Sequence, residues 1–181
     1  MTAKKLYINT IGCQMNVYDS QLIARVLNPM GYDQSTSLDT ADMVIVNTCA
    51  IRGKAEQKAF SFLGRLAGLK RKNPGMIIGV GGCVAQQEGR QILSRMPHLD
   101  FVFGTRTIAR LPEIVDRIVN NGEKVVDIEM MDNFQEFGYP DAHTDTDTSA
   151  ISRFVTIMRG CDNFCAYCVV PHVRGRETSR Q

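Results

Sequence analysis

The stretch MVIVNTC, residues 43–49, joins a short apolar run to a cysteine. An uninterrupted apolar run of this length, bounded by Asn47 and Thr48, is typical of a strand that is buried on both faces of a parallel sheet. Two other stretches repeat the arrangement, KLYINTIGC at 5–13 and MIIGVGGC at 76–83. The sequence therefore predicts three buried strands, each followed closely by a thiol.

Further apolar runs alternate with longer segments of helical period. Strands are predicted at 5–9, 43–47, 76–80, 101–103 and 124–128. Helices are predicted at 19–30, 53–72, 86–96 and 108–120, with Lys70, Arg71 and Lys72 as the solvated end of the second. This alternation indicates βαβ units and an α/β fold, a flavodoxin-like, doubly wound and mainly parallel sheet over residues 3–129.

The chain changes character after this first domain. Residues 130–150 are predicted to be a linker, because the stretch DNFQEFGYPDAHTDTDTS at 132–149 is acidic, has no Lys or Arg and shows no sustained period. The run FVTIM at 154–158 then predicts a new strand that leads into RGCDNFCAYC at 159–168. Residues 151–181 are interpreted as the incomplete beginning of a second domain.

Composition limits the function only loosely. The formal net charge of +2 over 181 residues argues neither for nor against nucleic acid as a partner. No apolar run is long enough for a signal-peptide core or a membrane span, so we expect a soluble, cytoplasmic protein without a membrane partner. In that compartment six cysteines serve as ligands, catalysts or packing residues more often than as disulfides.

Cys13, Cys49 and Cys83 occupy equivalent places in the predicted fold, just after three strands. In an open parallel sheet, ligands bind outside the carboxyl ends of the strands, where the strand order reverses. In a flavodoxin-like order the first of these strands, at 5–9, would lie between the second and the third. This order would bring the three thiols to one crevice and create a site with three thiolates. The alternative is that each cysteine is a small buried hydrophobic residue.

Neighbouring residues fit a site for a bulky ligand. Gly12, Gly81 and Gly82 are expected to let the backbone approach such a ligand closely. Asn47 and Thr48 are expected to offer donors to sulfide or thiolate.

Cys161, Cys165 and Cys168 have the spacing CxxxCxxC. Three thiolates on a four-iron cluster leave one iron open to an external ligand, and S-adenosylmethionine is the ligand for which this spacing is known. A zinc site with His172 as fourth ligand, or a loop with incidental cysteines, is the alternative. Beyond this loop, Arg174, Arg176 and Arg180 fit either an RNA or cofactor contact or an exposed segment.

The sequence resembles the radical S-adenosylmethionine methylthiotransferases along its whole length. The motifs that carry the resemblance are IGCQMNVYDS (11–20), VNTCAIRGKAEQK (46–58), GVGGCVAQQ (79–87), VFGT (102–105) and RGCDNFCAYCVVPHVRGRETSR (159–180). Within the family, GCQMN and NTCAIR are similar to the branch that methylthiolates isopentenylated adenosine in tRNA, whereas the ribosomal-protein branch typically has GCPKN.

The resemblance implies a role for each cysteine. Cys161, Cys165 and Cys168 would bind the 4Fe–4S cluster that cleaves S-adenosylmethionine to a 5'-deoxyadenosyl radical, which removes a hydrogen at C2 of the adenine at position 37, next to the anticodon. Cys13, Cys49 and Cys83 would bind an auxiliary 4Fe–4S cluster at which sulfur is carried or delivered. Tyr167 would lie near the adenine of the cofactor.

The resemblance also implies partners, namely a tRNA substrate and an electron donor such as a flavodoxin. A full radical domain and a C-terminal RNA-binding barrel follow in the family, so we expect the chain to be an N-terminal portion that is inactive alone. Two other functions stay open, a ribosomal-protein methylthiotransferase and a non-catalytic, zinc-binding flavodoxin-like module.

Overall fold

The structure, a computed structural model, describes residues 3–51, 53–130 and 156–179. The strands of its main sheet are β1 (Lys4–Thr10), β2 (Tyr32–Gln34), β3 (Met43–Thr48), β4 (Ile77–Gly82), β5 (Phe101–Phe103) and β6 (Val125–Asp127). The accompanying helices are α1 (Gln14–Leu27), α2 (Gly53–Lys72), α3 (Cys83–Glu88), α4 (Arg90–Arg95) and α5 (Leu111–Asn121), with 3-10 turns at Asn28–Met30 and Ile108–Arg110.

The sheet has six strands in the order β2-β1-β3-β4-β5-β6, and every neighbouring pair is parallel. This order confirms the predicted flavodoxin-like α/β fold. The expected number of five strands was one too low, because β2 was missed. In that three-residue strand only Tyr32 is buried, so its sequence carries no apolar run.

Two hydrophobic cores cover the two faces of the sheet. Alternate residues of β3 point to opposite sides: Met43 and Ile45 pack in the core with α1 and α5, whereas Val44 and Val46 pack in the core with α2, α3 and α4. All six residues of β3 are buried. Burial on both faces explains why this strand reads as a continuous apolar run.

The helix predictions met different outcomes. Helix α2 has the predicted bounds, and Arg71 and Lys72 at its end are exposed as expected. Lys70 is not solvated as predicted, because its ammonium group pairs with Asp100 at 2.8 Å. The single helix predicted at 86–96 is wrong, since α3 and α4 are separated at Gly89, where φ is +51°.

Residues 156–179 form a small unit beside the main sheet. It contains β7 (Met158–Arg159), α6 (Val170–Arg174) and β8 (Thr178–Ser179), and β7 pairs with β8 in antiparallel fashion. The strand expected at 154–158 is β7, which begins only at Met158; residues 154–155 lie outside the described part of the chain, as does the predicted linker except for residue 130. None of the helices in the described residues combines the length and apolar content needed to cross a bilayer.

Candidate metal centre at the carboxyl edge of the sheet

Three cysteines follow three neighbouring strands at the carboxyl edge of the sheet. Cys13 is the residue before α1 and lies three positions after β1, Cys49 follows β3 directly, and Cys83 is the first residue of α3 after β4. Strand β3 pairs with both β1 and β4. The sequence-based placement of the three thiols is therefore correct, except that the central strand of the three is the one before Cys49.

The three thiols differ in their exposure to solvent. Cys49 and Cys83 are buried, with 3% and 4% of their surface exposed, whereas Cys13 is half-buried. Burial raises the pKa of the Cys83 thiol; the Arg174 guanidinium partly opposes this rise, and Cys49 adds to it. Cys49 and Cys83 are thus both shielded from water.

A buried polar network lies beneath the cysteines and joins β1, β3 and α1. The side-chain amide of Asn16 donates to Asn47 Oδ1 and to the carbonyl of Thr48, both at 3.0 Å. Asn47 in turn donates to the carbonyl of Asn16 at 2.8 Å and to Ser20 Oγ at 3.0 Å. A polar network in which the buried groups are paired fixes the positions of the strand ends that carry the thiols.

Asn16 also holds the first cysteine in place. Its Oδ1 accepts hydrogen bonds from the backbone N–H of Cys13 at 3.2 Å and from the Cys13 thiol at 3.5 Å. A Cβ at Gly12 would lie 2.1 Å from the same oxygen, so only glycine leaves room for this contact. Gly12 therefore makes space for Asn16, and its expected place beside an external ligand stays a prediction.

Neighbouring groups also differ from their predicted use. Asn47 and Thr48 were expected to offer donors to a ligand, but the Thr48 hydroxyl donates to the carbonyl of Gly81 at 2.7 Å and Asn47 belongs to the network. The space beside Gly81 is filled by the ring of Phe103. These residues position the site through contacts within the protein.

Gly82→Ala is expected to destabilise the chain. Gly82 has a φ of +89°, and a Cβ there would lie 2.3 Å from the carbonyl oxygen of Thr48. Backbone strain alone costs about 1–3 kcal/mol, and the clash adds to it. Chemical denaturation checks this, with Gly64→Ala on α2 as the control because nothing lies within 4 Å of that position; equal stability of the two variants would contradict the expectation.

A buried ion pair joins the small unit of residues 156–179, called the second segment below, to α1 beside the cysteines. Arg174 Nη1 lies 2.6 Å from Asp19 Oδ2, and the exposed fractions of the two side chains are 8% and 6%. Helix α6, which ends at Arg174, packs against α3, which begins at Cys83. Burial acts to lower the pKa of Arg174, but the interaction with Asp19, and to a lesser extent with Cys83, raises it above its ordinary value, so the guanidinium stays charged.

The sequence did not predict this pair. Arg174 was expected to make an RNA or cofactor contact or to lie in an exposed segment, and Asp19 was given no role; the exposed placement is wrong, because Arg174 is buried. The sequence feature that could have indicated the pair is Asp19, because an acidic residue on the inward face of an amphipathic helix needs a buried partner.

The second set of cysteines lies on an exposed loop. Cys165 is exposed, while Cys161 and Cys168 are half-buried. The loop is shaped by a hydrogen bond from Cys168 N–H to the carbonyl of Cys165 at 2.9 Å and by Phe164, whose φ is +45°. Tyr167 is 92% exposed and thus free to meet another group.

Proximity of the cysteines in the fold is not the same as a formed metal site. Within the described residues, no three Cys, His, Asp or Glu side chains lie in an arrangement that could hold a metal ion. The ring of His172, the alternative zinc ligand, packs edge-on against Phe164 with 6.2 Å between ring centroids. The ligand roles of all six cysteines therefore stay predictions that rest on position and chemistry.

Thiol alkylation of the reduced, metal-stripped chain should separate the cysteines by burial. Cys165 is expected to react first, whereas Cys49 and Cys83 should react at least about tenfold more slowly, because a reagent reaches a buried thiol only after local opening. Timed iodoacetamide labelling with peptide mass spectrometry measures the order. Labelling of Cys83 as fast as Cys165 would show that the carboxyl edge is open.

The chain matches one protein family and several curated relatives. A family model described as Uncharacterized protein family UPF0004 matches residues 5–104. A relative from Desulfosudis oleivorans is 54% identical over 98% of this chain and 38% of its own length. One from Geotalea uraniireducens is 51% identical over 100% of this chain and 41% of its own length. A third, from Myxococcus xanthus, is 49% identical over 98% of this chain and 38% of its own length.

The three relatives share one name, tRNA-2-methylthio-N(6)-dimethylallyladenosine synthase. The chain spans about two fifths of the length of these curated relatives. The family match contains Cys13, Cys49 and Cys83, whereas the second set of cysteines lies beyond it.

Proposed function

The chain belongs to the family described as Uncharacterized protein family UPF0004, and from this membership and the names of its relatives we propose that it is part of a tRNA methylthiotransferase. The proposed reaction places a methylthio group on C2 of isopentenylated adenosine at position 37 of tRNA, beside the anticodon. Its radical chemistry depends on S-adenosylmethionine. The observation that carries the proposal is the succession of three neighbouring parallel strands that each lead to a cysteine.

The donor chemistry at the carboxyl edge fits an iron–sulfur cluster. Thiolates are the usual ligands of 4Fe–4S clusters, and three of them leave one iron open. Cys13, Cys49 and Cys83 are free thiols at the ends of adjacent strands, and Arg174 adds a buried positive charge beside one of them. Cys161, Cys165 and Cys168 offer a second set of three thiols on their own loop.

When bound, the two clusters would supply reductive cleavage of S-adenosylmethionine and a position for the sulfur that is transferred. The remaining contributions come from the protein. The network of Asn16, Asn47 and Ser20 holds the strand ends in place. Burial of Cys49 and Cys83 keeps water from their side of the site.

Other parts of the proposal concern partners. We propose that Tyr167 contacts S-adenosylmethionine beside the second set of cysteines, a role that the exposure of its ring supports. We assign tRNA as the substrate, and a small electron carrier such as a flavodoxin as the reductant, in the cytoplasm. The relatives' shared name supports tRNA over ribosomal protein as the acceptor.

Analysis of tRNA nucleosides tests the proposed function. Cells that lack the gene should accumulate isopentenyladenosine without its 2-methylthio group, and the whole gene supplied on a plasmid should restore the modified nucleoside. Mass spectrometry of digested tRNA measures both forms, and tRNAs that have no isopentenyladenosine serve as the internal control. Unchanged tRNA together with the loss of a methylthio group from a ribosomal protein would support the alternative acceptor instead.

A further inference from the structure

Arg174 links the two sets of cysteines through direct contacts. It is the last residue of α6, in the segment that follows Cys168, and its side chain enters the carboxyl edge of the main sheet. Its Nη1 pairs with Asp19 on α1, and α6 packs against α3, the helix that begins at Cys83. The side chain of Arg174, from the second segment, thus contacts Asp19 on α1, next to the site of Cys13, Cys49 and Cys83.

The main domain also donates hydrogen bonds to the backbone around Arg174. Arg106 donates from Nε to the carbonyl of Arg174 at 2.9 Å and from Nη2 to the carbonyl of Arg176 at 2.8 Å. The Thr105 hydroxyl donates to the carbonyl of Val173 at 2.6 Å. Gly175, the next residue, accepts from the backbone N–H of Cys161 at 3.2 Å, so these contacts reach the second cysteine loop.

One donor of this arrangement has no acceptor. Within the described residues, two buried atoms of this ion pair form no regular hydrogen bond, Nη2 of Arg174 and Oδ2 of Asp19. Oδ2 still lies 2.6 Å from Nη1 as an ion-pair contact, whereas Nη2 of Arg174, a residue that is only 7% exposed, has no hydrogen-bond partner in that part of the chain. A buried guanidinium N–H without an acceptor is unfavourable, and such groups are normally paired. Helix α6, which ends at Arg174, packs against α3, whose first residue is Cys83. A sulfur anion at Cys83 is an acceptor of the right charge on that neighbouring helix.

We propose that Arg174, anchored by Asp19, is a positioning residue whose guanidinium donates to an anionic sulfur at Cys83, either the thiolate itself or the sulfide-bearing group that this thiolate binds. This inference rests on the proposed function, because it assigns a partner to the auxiliary cluster. Arg174 would then have two effects. It would place a positive charge beside the sulfur, and it would fix the distance between the two sets of cysteines.

The charge effect has a direction that a purely structural role does not have. Reduction adds a negative charge to an iron–sulfur group, and a nearby cation or hydrogen bond to sulfur makes reduction easier. Removing the positive charge should therefore shift the midpoint potential of the group at Cys83 to more negative values. A residue that only supports the fold would lower the cluster content without moving the potential of the clusters that remain.

The test uses the whole 181-residue chain with Cys161, Cys165 and Cys168 changed to alanine, so that only the group at the main sheet is present. After anaerobic reconstitution with iron and sulfide, redox titration followed by electron paramagnetic resonance gives the midpoint potential. The variants are Arg174→Gln, which loses the charge, and Arg174→Lys, which keeps a cation for Asp19 but loses the second nitrogen. Arg176→Gln is the matched control, because its side chain is exposed on the same segment.

We expect a clear negative shift for Arg174→Gln, a smaller negative shift for Arg174→Lys and no shift for Arg176→Gln. If Arg174→Gln does not fold, as judged by circular dichroism, Arg174→Lys tests the donation to sulfur alone, because it keeps the charge, and its unchanged potential would overturn the proposal that the guanidinium donates to the sulfur. Iron bound with the same potential in all variants contradicts this inference and leaves the proposed function intact. A parent chain that binds no iron and sulfide would overturn both.

Discussion

Cys49→Ala in the whole protein is expected to reduce methylthiolation of tRNA below detection while 5'-deoxyadenosine continues to form. Cys49 is buried and directly follows β3, which lies between the strands that lead to the other two proposed auxiliary ligands, Cys13 and Cys83. The proposed S-adenosylmethionine site has its own three thiols on a separate, exposed loop. Loss of one auxiliary ligand should therefore remove sulfur transfer without removing radical formation.

Two products measured in one reaction check this division of labour. Chromatography quantifies 5'-deoxyadenosine, and nucleoside mass spectrometry quantifies the methylthiolated base, in anaerobically reconstituted protein with known iron content. Cys161→Ala is the matched control and should eliminate both products. If folded and iron-loaded Cys49→Ala formed no 5'-deoxyadenosine, the two cysteine sets would not have separate roles.

Asp19→Ala is expected to cause the largest loss of stability among single substitutions at the site. It leaves the guanidinium of Arg174 buried without its carboxylate partner at 2.6 Å. Breaking a buried ion pair from one side typically costs about 3–5 kcal/mol, which for a chain of this size corresponds to roughly 6–20 °C in Tm. Thermal unfolding followed by circular dichroism measures this change.

A surface aspartate provides the control for that measurement. Asp39 is exposed and lies away from the cysteines in the turn before β3, so Asp39→Ala should leave Tm nearly unchanged. A loss of less than about 1 kcal/mol in Asp19→Ala, near the upper limit for an exposed pair, would show that Arg174 reaches solvent or another acceptor. It would then remove the anchor on which the role of Arg174 depends.

The parts of the fold that could be predicted are those whose local pattern agrees with their burial. Helix α2 keeps a regular apolar period and has its predicted bounds. Helix α1 begins at Gln14, five residues before its predicted start, because its first turns invert the usual pattern. Met15 and Val17 are exposed there, while Asn16 and Asp19 are buried.

The residues of the candidate site also fall into those that local sequence pattern predicts and those that it does not. Cys13, Cys49 and Cys83 could be assigned to one edge of the sheet from the sequence. Each follows an apolar strand, and the carboxyl ends of parallel strands lie at the same edge. Asn16, Asp19 and Arg174 could not be assigned, because their roles arise from contacts between residues far apart in the sequence. Local pattern does not show which buried polar groups become partners.

The count of iron and sulfide per chain tests the central claim most directly, that the two sets of cysteines form two separate iron–sulfur sites. Each of three chains, the parent, Cys13/Cys49/Cys83→Ala and Cys161/Cys165/Cys168→Ala, is reconstituted without oxygen and analysed for iron, sulfide and zinc. The account predicts about eight iron atoms per parent chain and about four in either triple variant, as for two four-iron clusters. Zinc in place of iron, or the loss of all iron in one triple variant while that chain stays folded, would contradict it.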